Sequence, residues 1–255
     1  MAAFGKELEL IRKRAGFTQY HLAKELNLSR SHINRIESGE RKANKELLLK
    51  ISEILKLDSY NLNKLYILSG LEPEIDKTQK GFKICFHLAL EFKHKEYLSE
   101  AEKLIEFGMC HFDSMIELHA LLANLNLLRR NYEDAINANE ETIRLFDTLD
   151  EDEVKKIGIT KAEVIHNLGY VYFERGLDKI QEMEKLTVLN IDSPSTEYKN
   201  EISHLHEEII PDLDKAIEKI ENAFNIEPDN LHILDQLARL YYRKGDLSNE
   251  NLREE

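Results

Sequence analysis

The spacing of apolar residues constrains this chain more than any other feature, because it follows the period of an α-helix almost throughout. Near the start, Phe4, Leu8 and Ile11 recur at positions i, i+4 and i+7, which predicts a helix over about residues 3–15. Beyond Pro73 the chain continues as a succession of long helical patterns, with almost none of the alternation that is typical of strands. The sequence therefore predicts an all-α protein.

Polar cap residues divide the first 70 residues into five short helices. Thr18 and Ser29 each offer a side-chain oxygen to the first turn of a helix, and Gly39 ends the second of these two helices. A fourth helix is predicted to start near Asn44, and a fifth over about residues 59–68. We therefore expect residues 1–70 to form one domain, with residues 71–80 as a linker.

The charge of the chain is divided unevenly between its two parts. Residues 1–70 contain 13 Lys/Arg and 8 Asp/Glu, a net charge of +5, although the whole chain carries −13. Residues 71–255 contain 22 Lys/Arg and 40 Asp/Glu, a net charge of −18. A basic module is suited to phosphates, whereas an acidic one is repelled by them. This asymmetry favours nucleic-acid binding by the N-terminal part alone.

Residues 17–39, FTQYHLAKELNLSRSHINRIESG, resemble the helix-turn-helix of the lambdoid phage repressors and the Xre-type regulators. The resemblance is carried by Thr18-Gln19, Leu22-Ala23, the turn at Asn27-Leu28-Ser29, Ile33 and the segment Ile36-Glu37-Ser38-Gly39. In this family the second helix of the motif projects its N-terminal end into the major groove of DNA. The resemblance therefore implies a sequence-specific DNA-binding protein that regulates transcription.

The same resemblance implies which side chains would contact DNA. Gln19 would contact the DNA backbone from the N-terminus of its helix. Arg30, Ser31 and Asn34 would face base edges, since Arg can pair with guanine and Asn with adenine through two hydrogen bonds. The basic side chains that follow would contact phosphates without reading sequence, namely Arg35, Arg41 and Lys42. The alternative for each of these residues is an ordinary solvated surface.

Degenerate internal repeats follow residue 80. A leucine and a small residue recur at Leu88-Ala89, Leu122-Ala123 and Leu168-Gly169, and in the first two an alanine follows twelve positions after the small residue. This pattern resembles the tetratricopeptide family, in which pairs of helices cross closely at small residues and stack into a solenoid. The resemblance implies a tetratricopeptide-like α-solenoid over residues 81–255.

The third repeat departs from the regular spacing. Its second helix should open near residue 181, but the best match is Ala216, in the segment 215–230 that ends at Pro228. We therefore expect an insertion at about residues 177–211, which includes a loop at 191–197. A last helix is expected over about residues 230–243, followed either by a short cap or by further chain.

Stacked helix pairs of this family form a groove that is suited to an extended peptide. The resemblance places the groove-lining side chains one position after the small residue and two or three positions before it. We expect the amides of Asn124 and Asn167 to hold a peptide backbone, because an amide both donates and accepts. The rest of the predicted peptide site consists of His166, Tyr170, Gln236 and Arg239. The alternatives are solvent-exposed asparagines and a packing role for Tyr170.

The sequence contains no motif that is typical of catalysis or metal binding. Cys85 and Cys110 lie apart in apolar helical stretches, which predicts buried free thiols and not a disulfide or a metal site. His204 and His206 are two positions apart and would point to different faces of a helix, so they are poor joint metal ligands. The chain also has no apolar run of 18 residues and no secretory leader pattern. We expect no enzyme, no cofactor, no metal and a cytoplasmic location.

Taken together, the two parts resemble the peptide-responsive quorum-sensing regulators of Gram-positive bacteria. That resemblance implies a homodimer that binds double-stranded operator DNA and does not associate with membranes. Its repeats would bind a short signalling peptide that alters DNA binding. One alternative is a phage-type repressor or antitoxin-like regulator whose repeats bind a protein partner or only dimerise. Another is an adaptor whose helix-turn-helix has become an interaction domain.

Overall fold

The structure is a computed structural model that describes residues 2–112 and 116–254. Within these ranges the secondary structure consists of helices, with no strand, which confirms the predicted all-α class. None of these helices combines the length and the apolar character that crossing a membrane requires. The helices are α1 (Ala2–Arg14), α2 (Gln19–Glu25), α3 (Arg30–Glu37), α4 (Lys45–Leu55), α5 (Ser59–Ser69), α6 (Gln79–His94), α7 (Leu98–His111), α8 (Ile116–Leu128), α9 (Tyr132–Phe146), α10 (Glu151–Val154), α11 (Lys161–Asp192), α12 (Thr196–Ile226) and α13 (Leu231–Glu254).

Side-chain caps start the short N-terminal helices at the predicted positions. The Thr18 hydroxyl accepts a hydrogen bond from the backbone N–H of His21 at 3.1 Å, and the Ser29 hydroxyl accepts one from His32 at 3.2 Å. Asn44 caps α4 in the same way. Each cap satisfies a backbone donor that has no partner inside its own helix. The predicted starts of α2, α3 and α4 are therefore confirmed.

The chain divides into two compact units, residues 1–113 and 114–255. The first unit contains α1 to α7, so the helix pair α6–α7 packs with the five N-terminal helices. The second unit contains α8 to α13. This division reflects packing within the chain, and the predicted boundary between DNA-binding and repeat functions at residues 71–80 stays a prediction.

The segment that joins α5 to α6 is held against the N-terminal helices. Asn63 on α5 is buried, and its amide donates to the Glu74 carbonyl at 3.2 Å while its Oδ1 accepts from the Glu74 N–H at 2.6 Å. The Lys45 ammonium lies 2.5 Å from the Glu74 carboxylate, and Ile75 is buried. The predicted linker is therefore a structured connection, because its backbone and side chains are paired with α4 and α5.

A cluster of charged side chains joins α6 to α1 and α5. Lys64 is 5% exposed, and its Nζ lies 2.5 Å from Glu7 Oε1 and 2.7 Å from Glu91 Oε1. Lys95 pairs with the same two carboxylates, and the Tyr60 hydroxyl donates to Glu91 at 2.7 Å. Although burial by itself would raise the pKa of Glu91, these hydrogen bonds lower it to about 2. These ion pairs attach α6 to α1 and α5.

The second unit is a stack in which α8 packs on α9, α9 on α11, α11 on α12 and α12 on α13. Small residues lie where the helices cross, and Ala123, Ala135 and Ala216 are almost completely buried. A Cβ atom on Gly169 would lie 2.6 Å from Ile220 Cγ1 and 3.1 Å from the Ala216 carbonyl oxygen. The predicted close crossing of Gly169 with the helix that contains Ala216 is therefore present.

Residues 177–211, the predicted insertion, lengthen α11 and α12 and form no separate element. The helices are joined by a turn at 193–195, which is shorter than the predicted loop. Ile180, Leu186 and Ile209 are buried within this extension. At the other end of the unit, α13 continues to Glu254, beyond the predicted end of that helix near residue 243.

We expect Gly169→Ala to destabilise the second unit, because the added methyl group would overlap Ile220 and crowd the α12 backbone. Overpacking of this kind costs about 1–3 kcal/mol. Gly176→Ala is the matched control, since a Cβ there would lie 3.4 Å or more from its neighbours and alanine favours a helix over glycine. Urea unfolding of both variants measures the difference. Equal stability of the two variants would contradict the close crossing.

Candidate nucleic-acid interface and repeat groove

Helix α3 presents a row of polar side chains on its exposed face. Ile33 and Ile36 on the opposite face are completely buried, which fixes the rotation of the helix on the core. The predicted base-reading side chains of Arg30, Ser31 and Asn34 are all exposed. The structure therefore brings them together on one accessible helix face.

Helix α1 holds α3 in place through two contacts. Gly5 lies directly against the end of α3, where a Cβ atom would come within 2.0 Å of the Glu37 carbonyl oxygen. Two helical turns further along α1, Arg12 forms a two-pronged ion pair with the Glu37 carboxylate at 2.6 and 3.0 Å. Arg12 also donates to the Phe17 carbonyl oxygen at 2.6 Å. Both charged side chains are buried, so these contacts set the distance and angle of α3 against α1.

Gln19 extends this network to the exposed face. It is the first residue of α2 and is half-buried. Its amide nitrogen donates to Glu37 Oε2 at 2.8 Å and lies 3.4 Å from Asn34 Oδ1. The predicted phosphate contact of Gln19 is untested, but its side chain links the ion pair to a predicted base reader.

The segment after α3 carries the predicted phosphate-binding residues. Arg41 and Lys42 are exposed, and the Arg41 N–H donates to the Arg35 carbonyl at 2.9 Å, which turns the chain back along α3. Burial, together with the positive charges of Arg41 and Arg35, lowers the pKa of His32. His32 is therefore neutral at pH 7, and the positive charge of this surface comes from its arginines and Lys42.

The predicted peptide-binding residues of the second unit differ in accessibility. Asn124 on α8 and Asn167 and Tyr170 on α11 are half-buried, and the Asn124 amide already donates to the Ala120 carbonyl at 2.9 Å. Asn124 therefore keeps one N–H and its carbonyl oxygen for other partners. On α13, Gln236 is half-buried, while Arg239 is exposed.

His166 lies deeper than the other predicted peptide-binding residues. It is 7% exposed, its Nε2 has no hydrogen-bond partner among the described residues, and its ring centroid lies 5.2 Å from that of His232 on α13. Burial lowers the pKa of His166, and the neighbouring His232 lowers it further. The His166 ring therefore packs from α11 against His232 on α13. This contact was not predicted from the sequence. Its proposed contact with a peptide stays a prediction.

The described part of the chain offers no grouping of three or more His, Cys, Asp or Glu side chains that could hold a metal ion. His204 contacts Glu208 at 3.5 Å. Cys85 and Cys110 are both free thiols, as predicted. Cys85 is buried, and burial raises its pKa to about 12. The predicted burial is wrong for Cys110, which lies on an exposed side of α7. The expected absence of a metal or cofactor stays a prediction.

A family model described as helix-turn-helix matches residues 8–60. The matched range contains α2, α3 and α4 together with Arg12, Gln19 and Glu37, the residues that position the exposed face of α3. The match supports an Xre-like, DNA-binding regulator. No curated protein matches the chain.

Among solved structures, the chain is similar to monomeric mutants of IFIT1 with m7Gppp-AAAA and with Gppp-AAAA. Each comparison has 15% sequence identity and a TM-score of 0.42. The similarity covers 82% of this chain but only 45% of the IFIT1 chain. Likeness at this level establishes neither a shared function nor a shared ligand.

We expect Glu37→Ala to destabilise the first unit, because it leaves the buried Arg12 guanidinium without its partner. Loss of one member of a buried ion pair costs about 3–5 kcal/mol. Glu40→Ala is the matched control, since Glu40 is exposed and lies 3.9 Å from the exposed Arg35. Thermal unfolding and DNA affinity of both variants provide the measurement. Unchanged stability of Glu37→Ala would show that the pair does not hold α3.

Proposed function

We propose that this protein is a transcriptional regulator that binds operator DNA through α3 and acts as a homodimer. The observation that carries the proposal is the exposed row of Arg30, Ser31 and Asn34 on a helix that is fixed to the core by the Arg12–Glu37 ion pair. A rigidly held helix with polar side chains at its N-terminal end is suited to the major groove. The positive charge of residues 1–70 adds sequence-independent attraction to phosphates.

The proposal divides the exposed residues into two groups with different consequences for binding. Arg30 and Asn34 read base edges, so they contribute to the difference between operator and random DNA. Gln19, Arg35, Arg41 and Lys42 contact the DNA backbone, so they contribute to binding on every sequence. Ser31 completes the base-facing row.

We expect Arg30→Ala to lower operator affinity by about 1–3 kcal/mol while it barely changes binding to random DNA. Arg41→Ala should weaken both kinds of binding alike and should reduce the salt dependence by about one phosphate contact. Salt titrations of both variants on an operator duplex and a random duplex measure these effects. An equal loss for Arg30→Ala on the two duplexes would remove its assignment as a base reader.

We further propose that the repeats bind a short peptide that changes operator affinity. Asn124 on α8 lies one position after Ala123, Asn167 on α11 lies two positions before Gly169, and both are half-buried amides. Such amides can pair with the N–H and C=O groups of an extended peptide. The charge of −18 on residues 71–255 favours a neutral or basic peptide. If the peptide and the operator prefer different conformations of the protein, binding of one lowers the affinity for the other. The factor by which the peptide changes DNA affinity equals the factor by which DNA changes peptide affinity.

We expect the double variant Asn124→Ala with Asn167→Ala to weaken binding of a cognate peptide encoded beside the gene. Asn222→Ala with Asn225→Ala is the matched control, because these are exposed amides on α12. Calorimetry on the full chain measures both. If the first double variant binds as tightly as wild type, the amide clamp is wrong. If no encoded peptide binds, a repressor whose repeats bind a protein partner or only dimerise becomes the better proposal.

A further inference from the structure

Four side chains form a row of hydrogen bonds that runs from the core of the first unit to the exposed face of α3. It begins at Arg12, which can only donate, and at the Glu37 carboxylate paired with it, which can only accept. Both side chains are buried. Gln19 Nε2 lies 2.8 Å from Glu37 Oε2 and 3.4 Å from Asn34 Oδ1. The exposed Asn34 is therefore connected to the buried ion pair through the Gln19 amide.

The donor and acceptor roles in this row fix the orientation of both amides. A carboxylate accepts hydrogen bonds, so the Gln19 atom that faces Glu37 is the amide nitrogen and not the carbonyl oxygen. The second N–H of that nitrogen needs an acceptor, so the Asn34 atom that faces it is Oδ1. The Nδ2 of Asn34, which carries two N–H donors, is therefore the atom left for a base edge.

We infer that Gln19 is a positioning residue for base recognition, because it holds the Asn34 amide in the orientation that offers donors to DNA. The inference rests on the proposed function, in which Asn34 reads a base edge. In the major groove, adenine, guanine and thymine each present an acceptor, whereas cytosine presents only its N4 donor. The fixed amide therefore suits adenine, the base predicted for Asn34 from the sequence, and discriminates against cytosine.

The same hydrogen bonds limit what the Gln19 side chain can contribute to phosphate binding. Both N–H groups of its amide are engaged, one by Glu37 and one by Asn34, and its carbonyl oxygen cannot donate to a phosphate. A contact of Gln19 with the DNA backbone is left to its main-chain N–H, which a change of side chain does not remove. Loss of the Gln19 side chain should therefore change base discrimination and leave binding to random DNA almost unchanged.

The test measures base discrimination by the full chain on a duplex that the wild-type protein selects from a randomised pool. Affinity is measured with each of the four base pairs at every position of that duplex. Asn34→Ala should lower the discrimination against cytosine about fivefold or more at the position that Asn34 reads. Gln19→Leu should lower discrimination at the same position by a smaller factor, because the freed Asn34 amide can turn and offer Oδ1 to cytosine.

Two further variants distinguish positioning from a structural role. Gln19→Lys again places a donor beside Glu37 and Asn34, so it should restore the discrimination ratio, although its added charge raises affinity for every sequence. The double variant Gln19→Leu with Asn34→Ala should discriminate as Asn34→Ala does alone, because the two residues act as a unit. Thermal unfolding of each variant checks that the first unit stays folded.

Two results would overturn the inference and leave base reading by α3 in place. One is an equal loss of affinity for Gln19→Leu on selected and random duplexes, which would show that the side chain contacts the DNA backbone. The other is a loss of discrimination in Asn34→Ala that Gln19→Leu does not share. If neither Asn34→Ala nor Arg30→Ala changes discrimination at any position, base reading by α3 is itself overturned, and this inference with it.

Discussion

The buried ion pair between Arg12 and Glu37 is the interaction on which the position of α3 depends. It joins the first helix of the chain to the last turn of α3, and Gly5 permits the two backbones to touch beside it. Because both charges are removed from water, the pair is stable only while both partners stay in place. Gln19 then connects Glu37 to the exposed Asn34. The exposed face of α3 is therefore positioned by a buried ion pair and by a close backbone contact at Gly5.

A second set of buried charges attaches α6 to the N-terminal helices, although the sequence assigned α6 and α7 to the repeat region. Lys64 lies between Glu7 and Glu91, and through them α6 is attached to α1 and α5. Glu74, in the segment between α5 and α6, is hydrogen-bonded to Asn63 and paired with Lys45. The connection between α5 and α6 is therefore held against α4 and α5. The pair α6–α7 therefore shares a folding unit with the DNA-binding helices, and removing one charge from the cluster should disturb both.

Nearest-neighbour packing governs the second unit. The long helices bury their apolar faces mainly against the helices that precede and follow them in the stack. In solenoids, likewise, each repeat contacts only its neighbours. Gly169 sets the closest approach of α11 and α12, and the long extension of these helices adds its own apolar contacts around Ile180 and Ile209. The same rule leaves the far side of α13 uncovered within the described residues.

Local signals in the sequence were sufficient to predict the five N-terminal helices and several of their starts. Caps such as Thr18 and Ser29 act within one turn, and the small residue Gly169 marks a crossing whose partner Ala216 could also be read from spacing. The sequence could not identify Arg12 as a buried residue, because the run Arg12-Lys13-Arg14 looks like an ordinary basic surface and its partner lies 25 positions away. Tertiary packing likewise decided that His166 is buried, that α6 is attached to α1 and α5, and that one side of α13 is exposed. Helical period and capping are local properties, whereas burial and charge pairing depend on which elements meet in space.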